Sequence, residues 1–252
     1  MKIDFPTPEQ IPELAQLWQT AFGDTEEFTD GFFDTAFSAA RCRCAVVDGR
    51  VVAALYWFDV RCQDQRMAYI YAVATDPACR GQGLCRALMA DTHNHLALRG
   101  YRAVLLVPQS DSLRQMYTKM GYVPCTEIRE FCCAAGPEAV QLHRIDRDAY
   151  TALRREYLPQ GSAVQEEENI AFLETMAFFY RGPHVLLAAR TEGQKLYSQE
   201  ILGDLTAAPG ILAAMGCSQG TFRTPGTGVP FAMYQPLHPN AAKPTYFGLA
   251  FD

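Results

Sequence analysis

The chain lacks an apolar run long enough to cross a bilayer. The longest, Val51 to Phe58, falls far short of a membrane span. Its opening residues, MKIDFPTPEQ, have no apolar centre of a signal peptide. No C-x-x-C pair occurs among the nine cysteines, an odd number that argues for reduced, buried thiols rather than a disulfide framework. Histidine is scarce: of five, only His93 and His95 are close, and two apart on a helix they face different directions. Basic residues are outnumbered, 22 to 28, and a net charge of −6 argues against a nucleic-acid backbone as partner. These shortages predict a soluble cytoplasmic protein with no metal, no nucleic acid and no membrane among its partners. What is present is ordinary for a folded protein: 252 residues, 49% hydrophobic and 20% charged, enough for one large domain or two modest ones.

The informative stretch is MAYIYAVATDPACRGQGLCRALM, Met67 to Met89. Tyr69, Ile70, Tyr71 and Val73 read as a strand, Asp76-Pro77 breaks it, and Leu84, Ala87 and Leu88 recur with helical spacing. Between them lies Arg80-Gly81-Gln82-Gly83. A strand feeding a glycine turn that opens a helix is suited to hold phosphate, because the first helical N–H groups lack partners and the helix dipole is positive there. Two phosphate-loop patterns are missing: there is no Gly-Lys-Ser/Thr, and Arg86 stands where G-x-G-x-x-G needs its third glycine. What fits is R-x-x-G-x-[G/A], beginning at Arg80, with Gly83 in place and the small residue Cys85 last.

In this setting the loop resembles the acyl-coenzyme A loop of the GNAT N-acetyltransferases. The chain continues in the family's order, with a buried strand from Ala103 to Val107, then Ser110, a short helix carrying Tyr117, and Gly121-Tyr122 entering the next strand. Ser110 stands where the family usually has Asn. The resemblance covers residues 1–130 well and implies a mixed, mostly antiparallel α/β (α+β) GNAT sheet flanked by helices. The expected organisation is a GNAT domain over 1–135 and a smaller α+β lobe over 136–252, with the break at Gly136-Pro137. Two readings of that lobe stand side by side: a degenerate second GNAT-like domain unable to bind coenzyme A, and an unrelated cap.

In chain order, Thr7-Pro8-Glu9-Gln10 predicts a capped helix start, with Ile11, Leu14, Leu17, Trp18 and Phe22 on one face up to Gly23. A second helix is expected from Glu26 to Phe37, with Phe28, Phe32 and Phe33 as core or as acceptor-cleft residues. Asp48-Gly49-Arg50 predicts a hairpin. The last strands of the first domain should run through Phe131-Cys132-Cys133. Beyond it the pattern predicts a strand at Ala139 to His143, helices over Asp146–Tyr157 and 164–179, strands at 185–189 and 196–202, a short helix at 205–215 and a final strand at 246–251.

The resemblance implies acetyl-coenzyme A as co-substrate and direct acetyl transfer in a ternary complex to an amine of a small molecule or peptide. The backbone of Val73, Ala74 and Thr75 would hold pantetheine and thioester, with the Val73 N–H as oxyanion donor. Arg80, Gly81, Gln82, Gly83, Leu84 and Cys85 would cradle the pyrophosphate, and Ser110 would touch pantetheine. Tyr117 would be the acid for the leaving sulfur, since a phenol of pKa ~10 is protonated at neutral pH. The strand carries no carboxylate, which leaves the base open between Glu26, Glu27, a water relay through Tyr69 or Tyr71, and the chain-terminal Asp252, a device of some multidomain relatives. The alternatives are a catalytically silent coenzyme A-binding or regulatory module and an aminoacyl-type transferase on a paired GNAT fold. Oligomeric state is open.

Overall fold

The computed structural model describes residues 1–251. The chain divides into two compact units: Met1–Val123 with Met233–Ala242, and Pro124–Ala232 with the residues from Lys243 onward.

The first unit opens with β1 (Lys2–Asp4). At Thr7-Pro8-Glu9-Gln10 the expected helix start is a 3-10 turn, the Thr7 N–H donating to Gln10 Oε1 at 3.0 Å. Helix α1 (Ile11–Phe22) follows, closed by Gly23, and then α2 (Glu26–Thr35), capped by Thr25, whose hydroxyl accepts from the Phe28 N–H. Strands β2 (Cys42–Val47) and β3 (Arg50–Cys62) form the predicted hairpin, with Asp48 and Gly49 both at positive φ as a two-residue turn requires. Strand β4 (Gln65–Thr75) completes an antiparallel run and leads through a 3-10 turn to α3 (Leu84–Leu98). Strand β5 (Ala103–Leu106) lies parallel to β4, and α4 (Asp111–Thr118) carries Tyr117.

Each face of this sheet has its own core. Leu55, Trp57, Ala68 and Ile70 pack with Leu84, Leu88, Tyr117 and Tyr122 on the side of α3 and α4. On the other side Tyr56, Phe58 and Tyr71 meet Trp18 and Phe32 from α1 and α2. The next strand beside β5 comes from far downstream: Met233–Pro236 pairs antiparallel with it, Met233 opposite Leu106 and Pro236 opposite Ala103.

The second unit repeats this order. His143–Ile145, Phe178–Arg181, Val185–Glu192 and Lys195–Gly203 are antiparallel, and Gln219–Pro225 pairs parallel to the last of them. Beside Gln219–Pro225 lies Glu127–Ala134, antiparallel. Glu127–Ala134 reads in sequence as the end of the first domain; its backbone hydrogen bonds instead complete the second sheet. The next helix, α5 (Arg147–Tyr157), is capped by Asp146 as expected.

Two elements differ from the sequence pattern. The expected helix over 164–179 is interrupted: Val164–Gln165 and Phe178–Arg181 are strands, and only Glu168–Glu174 is helical. Phe178–Arg181 is claimed by ladders on both sides, and β pairing outweighs the local apolar spacing. Ala139–Leu142 is not a strand; the Val140 N–H donates to the Gly210 carbonyl in a loop contact. The final stretch, Tyr246–Phe251, is buried but not a strand. It is tied down by Gln165, whose amide donates to the Leu249 carbonyl and accepts from the Leu249 N–H. Beneath it Glu200 accepts from Arg154, Tyr150 and Tyr246, a buried ion pair whose remaining polar groups are satisfied.

Candidate active site

The geometry around β4 begins with a mismatch against β3. Ala54 faces Ala74 and Tyr56 faces Tyr71, so one residue on β3 spans two on β4. The extra residue makes a β-bulge, and Ala72 at its centre has φ +45°, a left-handed conformation that an L residue with a Cβ rarely adopts. On its other edge β4 pairs with β5 only from Met67 to Tyr69. Beyond Tyr69 the two parallel strands separate. Tyr71, Ala72 and Val73 are half-buried although their strand lies inside the sheet. The bulge and the separation together leave the backbone around Val73 outside the regular ladders.

The strand then turns. The Asp76 N–H donates to the Val52 carbonyl, its side chain accepts from the Ala78 N–H, and the Arg80 Nε donates back to the Thr75 carbonyl at 3.2 Å. Gly81 and Gly83 sit at φ +77° and +79°, which the turn into α3 requires. A Cβ at either position would meet no atom within 4 Å, so the space over the loop is open. The first ladder bond at this end of α3 runs from the Ala87 N–H to the Gly83 carbonyl, and among the described residues the amides of Gly81 to Arg86 have no backbone acceptor outside the helix. Open space over free amides at a positive helix end fits a pyrophosphate group. Gly81, Gln82 and Gly83 are exposed, Leu84 is buried into the core, and Cys85 is half-buried with its thiol pKa pushed up by burial.

Tyr117, on α4, packs edge-on against Tyr122, and burial pushes its phenol pKa well up, the nearby Cys85 adding a smaller contribution. Its hydroxyl makes no hydrogen bond among the described residues, although it is not sealed from solvent. Behind it the Tyr122 hydroxyl meets His93 Nε2 at 2.8 Å. Ser110 caps α4 and accepts from the Leu113 N–H, which commits its oxygen to the helix start. Val73 and Thr75 thus lie on β4 past the end of its pairing with β5, Arg80 and the glycines lie in the turn that follows, and Tyr117 on α4 packs into the same core as Leu84 and Leu88 of α3. Glu26 and Glu27 are exposed in the first turn of α2. Asp252 lies outside the described residues.

Sequence reasoning does not find Ala72, because Tyr-Ala-Val reads as unbroken strand and no glycine marks the bulge. Nor does it find Tyr56 and Trp18 as a joined aromatic wall with Tyr71 and Phe32. The signal available was the alternation of Tyr56 with Phe58 and of Tyr69 with Tyr71 on paired strands.

A family model described as an acetyltransferase (GNAT) domain matches residues 2–125. A mycothiol acetyltransferase of Nocardia farcinica is 36% identical over 76 residues, 29% of this chain and 25% of that protein, so the match spans a quarter of that relative's length. A GCN5-related N-acetyltransferase from Kribbella flavida matches with a TM-score of 0.73 at 18% identity, over 96% of this chain and 73% of that one. A tandem GNAT protein from the clavulanic acid biosynthesis pathway gives a TM-score of 0.58 at 10% identity, over 95% of this chain and 100% of that one. At these identities the two structural likenesses concern the fold alone. No described helix is long and apolar enough to cross a membrane.

Proposed function

The chain belongs to the GNAT acetyltransferases through residues 2–125, and from that premise we propose that it moves an acetyl group from acetyl-coenzyme A to the amine of a small molecule or peptide. The observation that carries this reading is the continuity of bulged strand, separated β5 and glycine loop. A donor for the thioester oxygen and a cradle for the pyrophosphate are borne on one rigid element pair.

In this reading the neutral amine nitrogen attacks the thioester carbonyl carbon. The carbonyl oxygen takes on negative charge and is met by the Val73 N–H, a fixed dipole that needs no reorganisation. The intermediate collapses by breaking the C–S bond, and the departing thiolate takes the phenol proton of Tyr117. The proton shed by the acceptor nitrogen leaves through a base and replaces, by way of solvent, the one Tyr117 gave, so neutral amine and thioester become amide and thiol with no net release of protons. Burial keeps the phenol protonated until a thiolate forms beside it. Glu26, Glu27 or a water held by Tyr69 or Tyr71 are the described groups available as the base.

The second unit serves as a further copy of the same fold without a coenzyme site. Its strand Lys195–Gly203 also carries an extra residue, with Ala188 facing Glu200 and Ala189 facing Ser198, and pairs parallel over only Lys195 to Tyr197. In place of a glycine loop stands Asp204, whose carboxylate accepts from the Thr206 N–H and hydroxyl, so an anion already occupies that turn. The tandem arrangement named for the clavulanic acid pathway protein supports this reading. All nine cysteines are free thiols, which supports a reducing compartment.

Calorimetric titration with acetyl-coenzyme A, wild type beside Gly83→Glu, tests the proposal. The expected result is one coenzyme per chain, bound by the wild type and lost in a variant that keeps its circular dichroism spectrum. A folded wild type that binds no coenzyme would overturn it.

A further inference from the structure

The second unit contains a cavity of about 340 Å³, within the ~300–1,000 Å³ of small-molecule sites. Strand pairing builds its wall. Directly opposed residues of an antiparallel sheet share a face, and Arg181 stands opposite His143 on one neighbouring strand and Leu186 on the other. After Arg181 the chain reverses tightly, the Gly182 N–H donating to the Val185 carbonyl at 2.8 Å. A Cβ at Gly182 would lie 2.7 Å from Val185 Cγ1, so glycine lets this turn close. Tyr157 ends α5, and its Cε1 would lie 2.7 Å from a Cβ at Gly203, which sits at φ +93°. The bare backbone of Gly203 therefore seats the Tyr157 ring at the cavity.

Four polar side chains line the space: Gln141, His143, Tyr157 and Arg181. None of them makes a side-chain hydrogen bond or an ion pair among the described residues. Each offers an N–H or O–H donor. No lining residue is an aspartate or a glutamate, and the rest of the wall is Leu153, Pro183, Val185 and Leu186 with the Gly182 backbone. Arg181 is also unlike the other arginines of this unit. Every other one lies beside a carboxylate or over an aromatic ring, from Arg154 on Glu200 to Arg144 over Phe178. A hollow shaped by two glycines and a set of donors without acceptors are independent observations, and they coincide.

We propose that this cavity binds a small organic carboxylate. Its anionic head is held by Arg181 with the donors of Gln141, His143 and Tyr157, and its apolar body lies against Leu153, Val185 and Leu186. One guanidinium matches one negative charge, and its planar fork donates to both oxygens of a carboxylate. Donors and apolar surface without an acceptor side chain for an ammonium group turn cations away. The site stands apart from the acetyl-transfer reading, because the glycine loop and Tyr117 belong to the first unit.

Phenylacetate, acetate and phenethylamine serve as probes, each titrated into the full chain and followed by amide NMR. Phenylacetate should shift the amides of His143, Gly182 and Gly203 saturably, with a Kd below about 1 mM. Acetate lacks the apolar body and should bind about tenfold more weakly, and phenethylamine should leave the three amides unmoved. Arg181 is exposed, so Arg181→Gln keeps the fold and should weaken phenylacetate binding about tenfold. Arg144→Gln, on the same strand as His143, and Gly83→Glu, in the coenzyme loop, should bind phenylacetate as the wild type does. No saturable shift at the three amides overturns the proposal. So does phenethylamine or acetate binding as tightly as phenylacetate, an Arg181→Gln variant that binds unchanged, or an equal loss in Arg144→Gln. Loss of binding in Gly83→Glu would assign the carboxylate to the coenzyme loop and overturn the second site, leaving the acetyl-transfer reading in place.

Discussion

The Nε2 of His93 and the hydroxyl of Tyr122 lie 2.8 Å apart in the core beneath Tyr117. Burial holds the imidazole pKa down at about 4, against 6.5 for an ordinary histidine. Between those values the unfolded chain binds the proton and the folded one refuses it. Stability is therefore fully present above about 6.5 and is lost as pH falls towards about 4, below which this group adds no further slope. The total is on the order of 3 kcal/mol. Urea denaturation midpoints between pH 7 and pH 4 should fall for the wild type and fall less steeply for His93→Gln, which stays neutral. Parallel slopes for the two proteins would remove His93 as the source.

Tyr117 separates stability from chemistry. Its hydroxyl makes no hydrogen bond among the described residues, so Tyr117→Phe should leave the melting temperature equal or slightly raised. If the phenol protonates the leaving sulfur, the same variant loses about 100-fold in kcat. Coenzyme affinity, set by the loop at Gly81 and Gly83, should not change. Loss of stability together with unchanged kcat would make Tyr117 a packing residue.

Ala72 holds the bulge at φ +45°. A left-handed alanine is strained by about 1–2 kcal/mol, so Ala72→Gly should stabilise the fold by about 1 kcal/mol. Ala72→Val, with a branched Cβ in the same conformation, should cost about 1–3 kcal/mol. Chemical denaturation of the two variants reads both signs. A destabilised glycine variant would mean that the bulge is not strained in solution.

The parts of the fold legible in the sequence are those set by local chemistry. Asp48-Gly49 specifies its turn because both residues tolerate positive φ, Asp146 specifies a helix start with its side chain, and Gly81 and Gly83 specify the loop. The parts that stay hidden are decided by distant partners. Nothing local in Tyr71-Ala72-Val73 encodes the extra residue, which exists only against the count on β3. Phe178–Arg181 continues an apolar spacing that suits a helix until two neighbouring strands compete for its backbone. Tyr117 and the glycine loop are visible as motif residues, whereas the aromatic wall of Trp18, Tyr56 and Tyr71 depends on elements that only the sheet brings together.

That distant pairing makes a prediction about the matched domain itself. Residues 2–125 carry the family match, yet β5 pairs along its whole length with Met233–Pro236. A fragment ending at residue 125 would expose the backbone of Ala103, Val104, Leu105 and Leu106 as a bare apolar edge. Such an edge is a template for pairing with other chains. The fragment 1–125 should elute as oligomers or aggregate, and it should bind acetyl-coenzyme A much more weakly than the full chain. A synthetic peptide spanning residues 229–242 restores the missing strand, so adding it should shift the fragment towards monomer and recover coenzyme binding. Size-exclusion chromatography and calorimetry read these two outcomes separately. A monomeric fragment with full coenzyme affinity would show that β5 and the glycine loop hold their geometry without the returning strand.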